Sequence, residues 1–377
     1  MFILYIIGLV LAEVSVIQFN NLGYTGYYSE VSELNDIDSH SCSCQVSSDV
    51  VKFSGPNAPL NEEVSVHFRG PIILNRFASY VSDNFTFNEN SGNWTRISYY
   101  DDQRQVAENV TFLTKAGEDS ICLGRALTYA DSDGVSKANK STILGEDTLI
   151  GSNEEYAIFS NISCGESGLN NDCGVYRPDI PAYHGFYGTT KMFLFEFQMP
   201  NDTSGANISN YNMPAIWLLN AKIPRTSQYS QNVNCSCWRS GCGEFDIFEV
   251  MNTTEYLNLY STLHDYQGTD DIENGLAEGY MERDLNNIMV GGVAFDSEGT
   301  VNVWLSKDTI FDSSISANVV NSWLGKIDDD AVTTSLSSIS LAAPTGSSTG
   351  SSSKKSDGVI YQAGLWTQLL FGLICII

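Results

Sequence analysis

Apolar positions recur along this chain with a period of two far more often than with the helical period of 3.6. In KMFLFEFQM, residues 191–199, Phe193, Phe195 and Phe197 fall on one side, and Met192, Leu194 and Glu196 on the other. That alternation is the signature of a strand. It returns in VSVHF at 64–68, NVTFL at 109–113 and VNVWLS at 301–306, with turn-forming clusters such as SDG at 132–134 and DSEG at 296–299 between the runs. No long stretch has helical periodicity, and no internal repeat is visible. Many short strands joined by turns predict an all-β fold, a jelly-roll β-sandwich. A polar stretch within 77–92 marks the expected division between an N-terminal β segment, 13–76, and the main sandwich, 77–330.

One strand-like run breaks the rule that acids avoid apolar company. GCGEFDIFEVMN, 241–252, sets Glu244, Asp246 and Glu249 among Phe245, Ile247, Phe248 and Val250. On a helix the three acids would point in different directions. On a regular strand Glu244 and Asp246 share a face and Glu249 opposes them. A single β-bulge at Ile247-Phe248 brings Glu249 round to the same side. With ~3.3 Å per residue, the two glutamate carboxylates then come within about 5–6 Å, near the spacing of a retaining glycosidase. Acids held this close cannot all ionise cheaply, and their proton affinities are driven apart. Upstream, MPAIWLLN at 213–220 places Trp217 in an apolar strand; downstream, STLHDYQG at 261–268 offers His264. An aromatic face beside carboxylates suits a sugar ring.

Composition narrows the partners. The chain of 377 residues carries a net charge of −26, which speaks against nucleic acid as a partner because that needs a cationic surface. Neutral sugars need no net charge. The start, MFILYIIGLVLAEVS, reads as a signal peptide over 1–12, although no Lys or Arg precedes its apolar run. Nine N-x-S/T sequons, at Asn84, Asn93, Asn109, Asn139, Asn161, Asn201, Asn207, Asn234 and Asn252, agree with secretion. Eight cysteines remain once Cys375 in the apolar tail is set aside. They read as up to four disulfides of unreadable pairing, and no histidine stands at a spacing that would favour a metal instead. No metal or cofactor is expected. The Ser/Thr-rich segment 331–356 reads as a glycosylated stalk without a core. Small residues around Ser356 and the apolar end of 357–377 read as a GPI attachment site and its propeptide, tying the protein to the membrane through a lipid.

The order of a PAIW strand, then GEFDIFE, then LH resembles the laminarinase and lichenase family, glycoside hydrolase family 16. FSGPNAPLNEEVSVHFRGPIIL, CWRSGCGEFDIFEVMN and the GPI-type tail resemble, over nearly the whole mature chain, the fungal cell-wall family described as probable circularly permuted 1,3-β-glucanases. The resemblance implies a glycoside-hydrolase-like sandwich, with Glu244 as nucleophile, Asp246 orienting it and Glu249 as acid/base. It implies sugar contacts for Trp217, Trp238 and His264, and wall β-glucan as the substrate. Permutation accounts for the short run between Glu249 and the stalk: the missing strands come from the N-terminal segment near 64–74. Transfer to another glucan hydroxyl, and glucan binding without catalysis, are the alternatives to hydrolysis. Arg69 and Arg239 read as structural ion-pair partners.

Overall fold

The computed structural model describes residues 16–324 and 332–343. The expected signal segment 1–12, the attachment residue Ser356 and the propeptide 357–377 lie outside them. Two large sheets pack face to face. The first runs in the order Ser314–Ser316, Asn93–Asp101, Ile72–Val81, Lys191–Gln198, Met289–Phe295, Val301–Leu305, Val16–Asn20 and Val332–Ser335. The second runs Lys137–Ala138, Thr128–Ala130, Thr111–Thr114, Glu155–Phe159, Val64–Arg69, Ala215–Asn220, Glu244–Glu249, Asn258–His264 and Leu276–Glu282. This is the all-β sandwich that the alternation predicts.

The predicted faces are the observed ones. Phe193, Phe195 and Phe197 enter the core between the sheets, where Phe195 meets Phe68 at 6.1 Å and Phe197 meets Phe248 at 5.3 Å between ring centroids. Met192 and Leu194 point the other way, into a second apolar cluster roofed by the helix Ala317–Leu324. Glu196, on that same outer face, is clamped by the Arg76 Nε at 3.0 Å.

The N-terminal segment supplies strands to the middle of both sheets. Val64–Arg69 lies between Glu155–Phe159 and Ala215–Asn220, and Ile72–Val81 lies between Asn93–Asp101 and Lys191–Gln198. The expected division at 76/77 falls inside the strand Ile72–Val81, so the segments on either side of it share sheets and core. A hairpin of Gly26–Asn35 and Ser43–Phe53 forms a separate two-stranded sheet that packs Tyr28 and Phe53 into one apolar cluster with Trp217 and Leu219. Disulfides Cys42–Cys122 and Cys44–Cys235 tie it down, and Cys164–Cys173 and Cys237–Cys242 complete the set of four.

The start of the expected stalk is corrected. Val332–Ser335 runs parallel to Val16–Asn20 and closes an edge of the first sheet, Leu336 is buried in the main core, and Leu341 N donates to Thr25 O at 2.8 Å. Thr and Val accept strand geometry, the edge of Val16–Asn20 offers backbone partners, and one leucine suffices to anchor the segment. The fold therefore runs to at least Leu341, and from 344 on the Ser/Thr-rich stretch lies outside the described residues.

The sequon asparagines are not equivalent. Seven of them, all but Asn109 and Asn252, are exposed. Asn109 Nδ2 donates to Ile97 O at 3.0 Å and to Ser98 Oγ at 3.2 Å, while its Oδ1 accepts from Asn161 N. A glycan on Nδ2 would displace these bonds. Glycopeptide mass spectrometry of the folded, secreted protein is expected to find Asn109 unmodified; stoichiometric glycan there would contradict the packing.

Candidate active site

The acid-bearing strand, Glu244–Glu249, pairs on one side with Ala215–Asn220. Glu244 opposes Leu219, Asp246 opposes Trp217, and Glu249 opposes Ala215, with a register shift between Ile216 and Trp217. On the other side Asp246 opposes Thr262 and Glu249 opposes Tyr260, so three steps on the acid strand match two on its neighbour. This is the expected one-residue bulge. Phe245, Ile247, Phe248 and Val250 all enter the core between the sheets. Glu244, Asp246 and Glu249 all line a cleft of about 490 Å³ on the opposite face.

Each acid has a distinct partner. Glu244 accepts from the indole Nε1 of Trp238, which reaches it from the loop ahead of the strand. Asp246 lies 2.9 Å from His264 Nε2, whose Nδ1 donates to Ile272 O at 2.7 Å. Glu249 is met by Arg69 Nη2 at 3.1 Å, and the Arg69 Nε donates to Met213 O at 2.7 Å.

Burial comes first in setting the proton affinities. Burial, then the charges of Asp246 and Glu249, hold Glu244 above the ordinary carboxylate range, against the pull of His264 and Trp238. Glu249 is raised by burial and Asp246 against the pull of Arg69. Burial alone would lower His264, but its hydrogen bond to Asp246 and the charges of Asp246 and Glu244 push it up to about 10. The imidazole is therefore a cation at neutral pH, donating through both nitrogens. Two cations, Arg69 and His264, then face three acids, and the site retains a proton.

Of the expected sugar contacts, His264 and Trp238 line the cleft as partners of the acids. Trp217 also lines it, yet only 3 % of its surface is exposed, and one ring face is covered by His67 at 5.1 Å and 29°. Its open stacking face is correspondingly small. Arg69 belongs to the site, whereas the sequence marked it as a structural ion-pair partner. The alternation of VSVHFR does put Ser65, His67 and Arg69 on one side of their strand; what it could not supply is that Glu249, 180 residues away, lies two strands over. Arg239 does behave as a surface ion-pair partner, meeting Glu273 across the cleft rim.

The loop carrying Trp238 is held covalently. Cys237–Cys242 closes it just before Glu244, and Cys44–Cys235 staples it to the N-terminal hairpin. The two sulfur-ligand clusters that geometry alone would allow, Cys44/Cys122/Cys235 and Cys164/Cys173/His184, consist of disulfide cysteines and one histidine bound to Glu63.

Comparison with known proteins adds identity to this geometry. Residues 92–323 match the family described as cell wall protein YJL171C/Tos1, C-terminal, and residues 15–82 match its N-terminal counterpart. The chain is 64% identical to the "probable circularly permuted 1,3-beta-glucanase PGA52" of Candida albicans, over 96% of this chain and 94% of that one. It is 49% identical to the similarly described YJL171C of Saccharomyces cerevisiae, over 94% and 90% of the two chains. It is 44% identical to TOS1 of the same yeast over 63% of this chain and 50% of that one. No solved structure matches. With both halves of the profile matched in order across sheets that the two halves build together, the chain belongs to the YJL171C/Tos1 family of cell wall proteins.

Proposed function

We propose that this protein is a GPI-anchored, cell-surface β-1,3-glucanase that remodels wall glucan by a retaining double displacement, with the chemistry of glycoside hydrolase family 16. The observation that carries the reading is the bulge, which lets Glu244 and Glu249 face one cleft with Asp246 between them. Glu249 is the acid. Its proton is retained by burial and by the neighbouring Asp246 charge, and it protonates the leaving oxygen. Glu244, held by the Trp238 indole and near the His264 cation, attacks the anomeric carbon. Glu249, left as a carboxylate once its proton has gone to the leaving oxygen, then takes a proton from the incoming water or sugar hydroxyl as that oxygen attacks the anomeric carbon and releases Glu244. The names of the relatives support β-1,3-glucan as substrate. The secretion and anchor signals in the sequence support the surface location.

The test is laminarin treated with the purified ectodomain. Shorter products, absent with Glu244→Gln, are expected; products longer than the starting oligosaccharide would assign the acceptor to glucan rather than water. No change in laminarin by either route, or full activity in Glu244→Gln, contradicts the proposal.

Arg69 offers a further handle. Its cation favours ionised Glu249, so its removal raises the proton affinity of Glu249 further. An acid must hold its proton, so the alkaline limb of kcat/KM is set by Glu249. Arg69→Leu is expected to move that limb to higher pH, and Arg69→Lys to restore most of it. A pH profile with the limb unmoved, or moved downward, contradicts this role.

A further inference from the structure

One cross-strand row passes through the acid/base position. Reading directly opposed residues across the second sheet gives Glu155, Arg69, Ala215, Glu249, Tyr260 and Tyr280. Directly opposed residues on antiparallel strands project to the same side. Their neighbours along the strands confirm it: Leu259 and Met281 enter the core between the sheets, which turns Tyr260 and Tyr280 outward, to the face that bears the acids. The two rings lie 5.5 Å apart and tilted by 57°. Tyr280, on the edge strand, is 37 % exposed. The Tyr260 hydroxyl is ringed by polar groups, donating to Glu255 Oε2 at 3.2 Å and accepting from Asn258 Nδ2 at 3.3 Å. Neither tyrosine lines the bounded cleft, which ends on this side at Met251, His264, Glu273 and Asn274.

We propose that Tyr260 and Tyr280 form a distal platform that binds the same glucan chain just beyond the sugar unit held by the acids. This rests on the reading of the cleft as a glucan site. From the strand of Glu249 to that of Tyr280 is two inter-strand steps, roughly 10 Å. That is the span of a short run of sugar units and too far for the ring held by the acids. A chain crossing the strands along this row leaves the acids and meets a tilted aromatic pair with hydroxyl and amide groups at its margin. Aromatic faces with polar rims bind the CH faces and hydroxyls of sugars together. The competing account is that the pair only stabilises the sheet edge, and Tyr280, being exposed, lets the two be separated.

The experiment measures affinity for laminari-oligosaccharides, from the disaccharide to the heptasaccharide, in the Glu244→Gln ectodomain with and without Tyr280→Ala. It is run also with Asn252→Gln, because Glu255 Oε2 bridges Asn252 Nδ2 and the Tyr260 hydroxyl and a glycan on Asn252 would sit beside the platform. Affinity is expected to rise with length, and Tyr280→Ala to remove roughly five- to tenfold of that rise, the size of one aromatic contact, with the shortest ligands unaffected. Tyr260→Phe, which keeps the ring, should retain most of the gain. An unchanged ratio of long to short affinity in Tyr280→Ala, with or without the Asn252 change, overturns the platform and leaves catalysis standing. Length-dependent binding lost in Tyr280→Ala, in a protein whose wild type turns nothing over, sinks the catalytic reading and leaves the platform.

Discussion

Glu249→Gln is expected to lower turnover of laminarin by roughly 10²–10⁴-fold, the usual contribution of a positioned general acid, and Glu244→Gln to abolish it by removing the covalent step. The two losses differ in kind. A substrate whose leaving group needs no proton, such as a nitrophenyl laminaribioside, bypasses the first task of Glu249, so Glu249→Gln should form the glycosyl-enzyme rapidly and then stall. Glu244→Gln should stay inactive on it. Unfolding cannot mimic this pattern, because both substitutions should stabilise the protein. The folded proton affinities of Glu244 and Glu249 are raised. Their favourable share of stability is therefore present below the unfolded carboxylate value and is lost as pH rises through the folded one. Glutamine carries no charge to bury, so each variant should unfold at a higher temperature than wild type toward alkaline pH, by about 1–2 kcal/mol or a few degrees. Turnover in Glu249→Gln equal on both substrates, or a melting temperature below wild type at high pH, would contradict these assignments.

The largest effect on stability is expected at Arg283. This guanidinium is 1 % exposed and has no carboxylate partner among the described residues. It donates instead to four backbone carbonyls and one side chain: Met199 O at 2.9 Å, Pro200 O at 2.6 Å, Asn212 O at 3.3 Å, Tyr256 O at 3.0 Å and Asn212 Oδ1 at 2.9 Å. Burial pulls its proton affinity down to about 10, still well above neutrality, so the cation persists. It ties together three connections that meet where Glu249 leaves its strand: the 199–200 turn, the loop before Ala215–Asn220 and the loop after Glu244–Glu249. Arg283→Ala orphans these acceptors at once. At about 1–3 kcal/mol for each unsatisfied buried group, with relaxation and water recovering part, the loss is expected to be about 4–5 kcal/mol. Denaturant unfolding checks it; Arg283→Lys, with three donors for five acceptors, should fall between. A loss under ~1 kcal/mol would show that these loops are held by other means.

How much of this was legible beforehand depends on the range of the contact. The acid spacing in GEFDIFE encodes its own bulge, because the four apolar residues must enter the core and the three acids must not. That is local information, and it placed Glu244, Asp246 and Glu249 correctly on one face. The phenylalanine alternation at 191–199 sorted two different cores for the same reason. Contacts between distant segments were not legible. Nothing within VSVHFR says that Arg69 will reach Glu249, and nothing in CSCWRSGC says that Cys235 pairs with Cys44 rather than with a neighbour. Trp217 reads as a sugar platform until His67, from the N-terminal segment, is seen covering it. The first part of the Ser/Thr-rich stretch was misread for a related reason. Composition reports that a segment cannot build a core, but not that a finished sheet offers it an edge and a slot for Leu336.

The bulge, and the division of labour it sets up, is tested most directly by trapping the covalent intermediate. The ectodomain is incubated with an activated fluorosugar derivative of laminaribiose, which forms glycosyl-enzyme quickly and releases it slowly, and the labelled peptide is sequenced by mass spectrometry. The structure predicts a single label on Glu244, absent in Glu244→Gln. A label on Glu249 or Asp246, or steady hydrolysis of this sugar with no adduct at any residue, would contradict it.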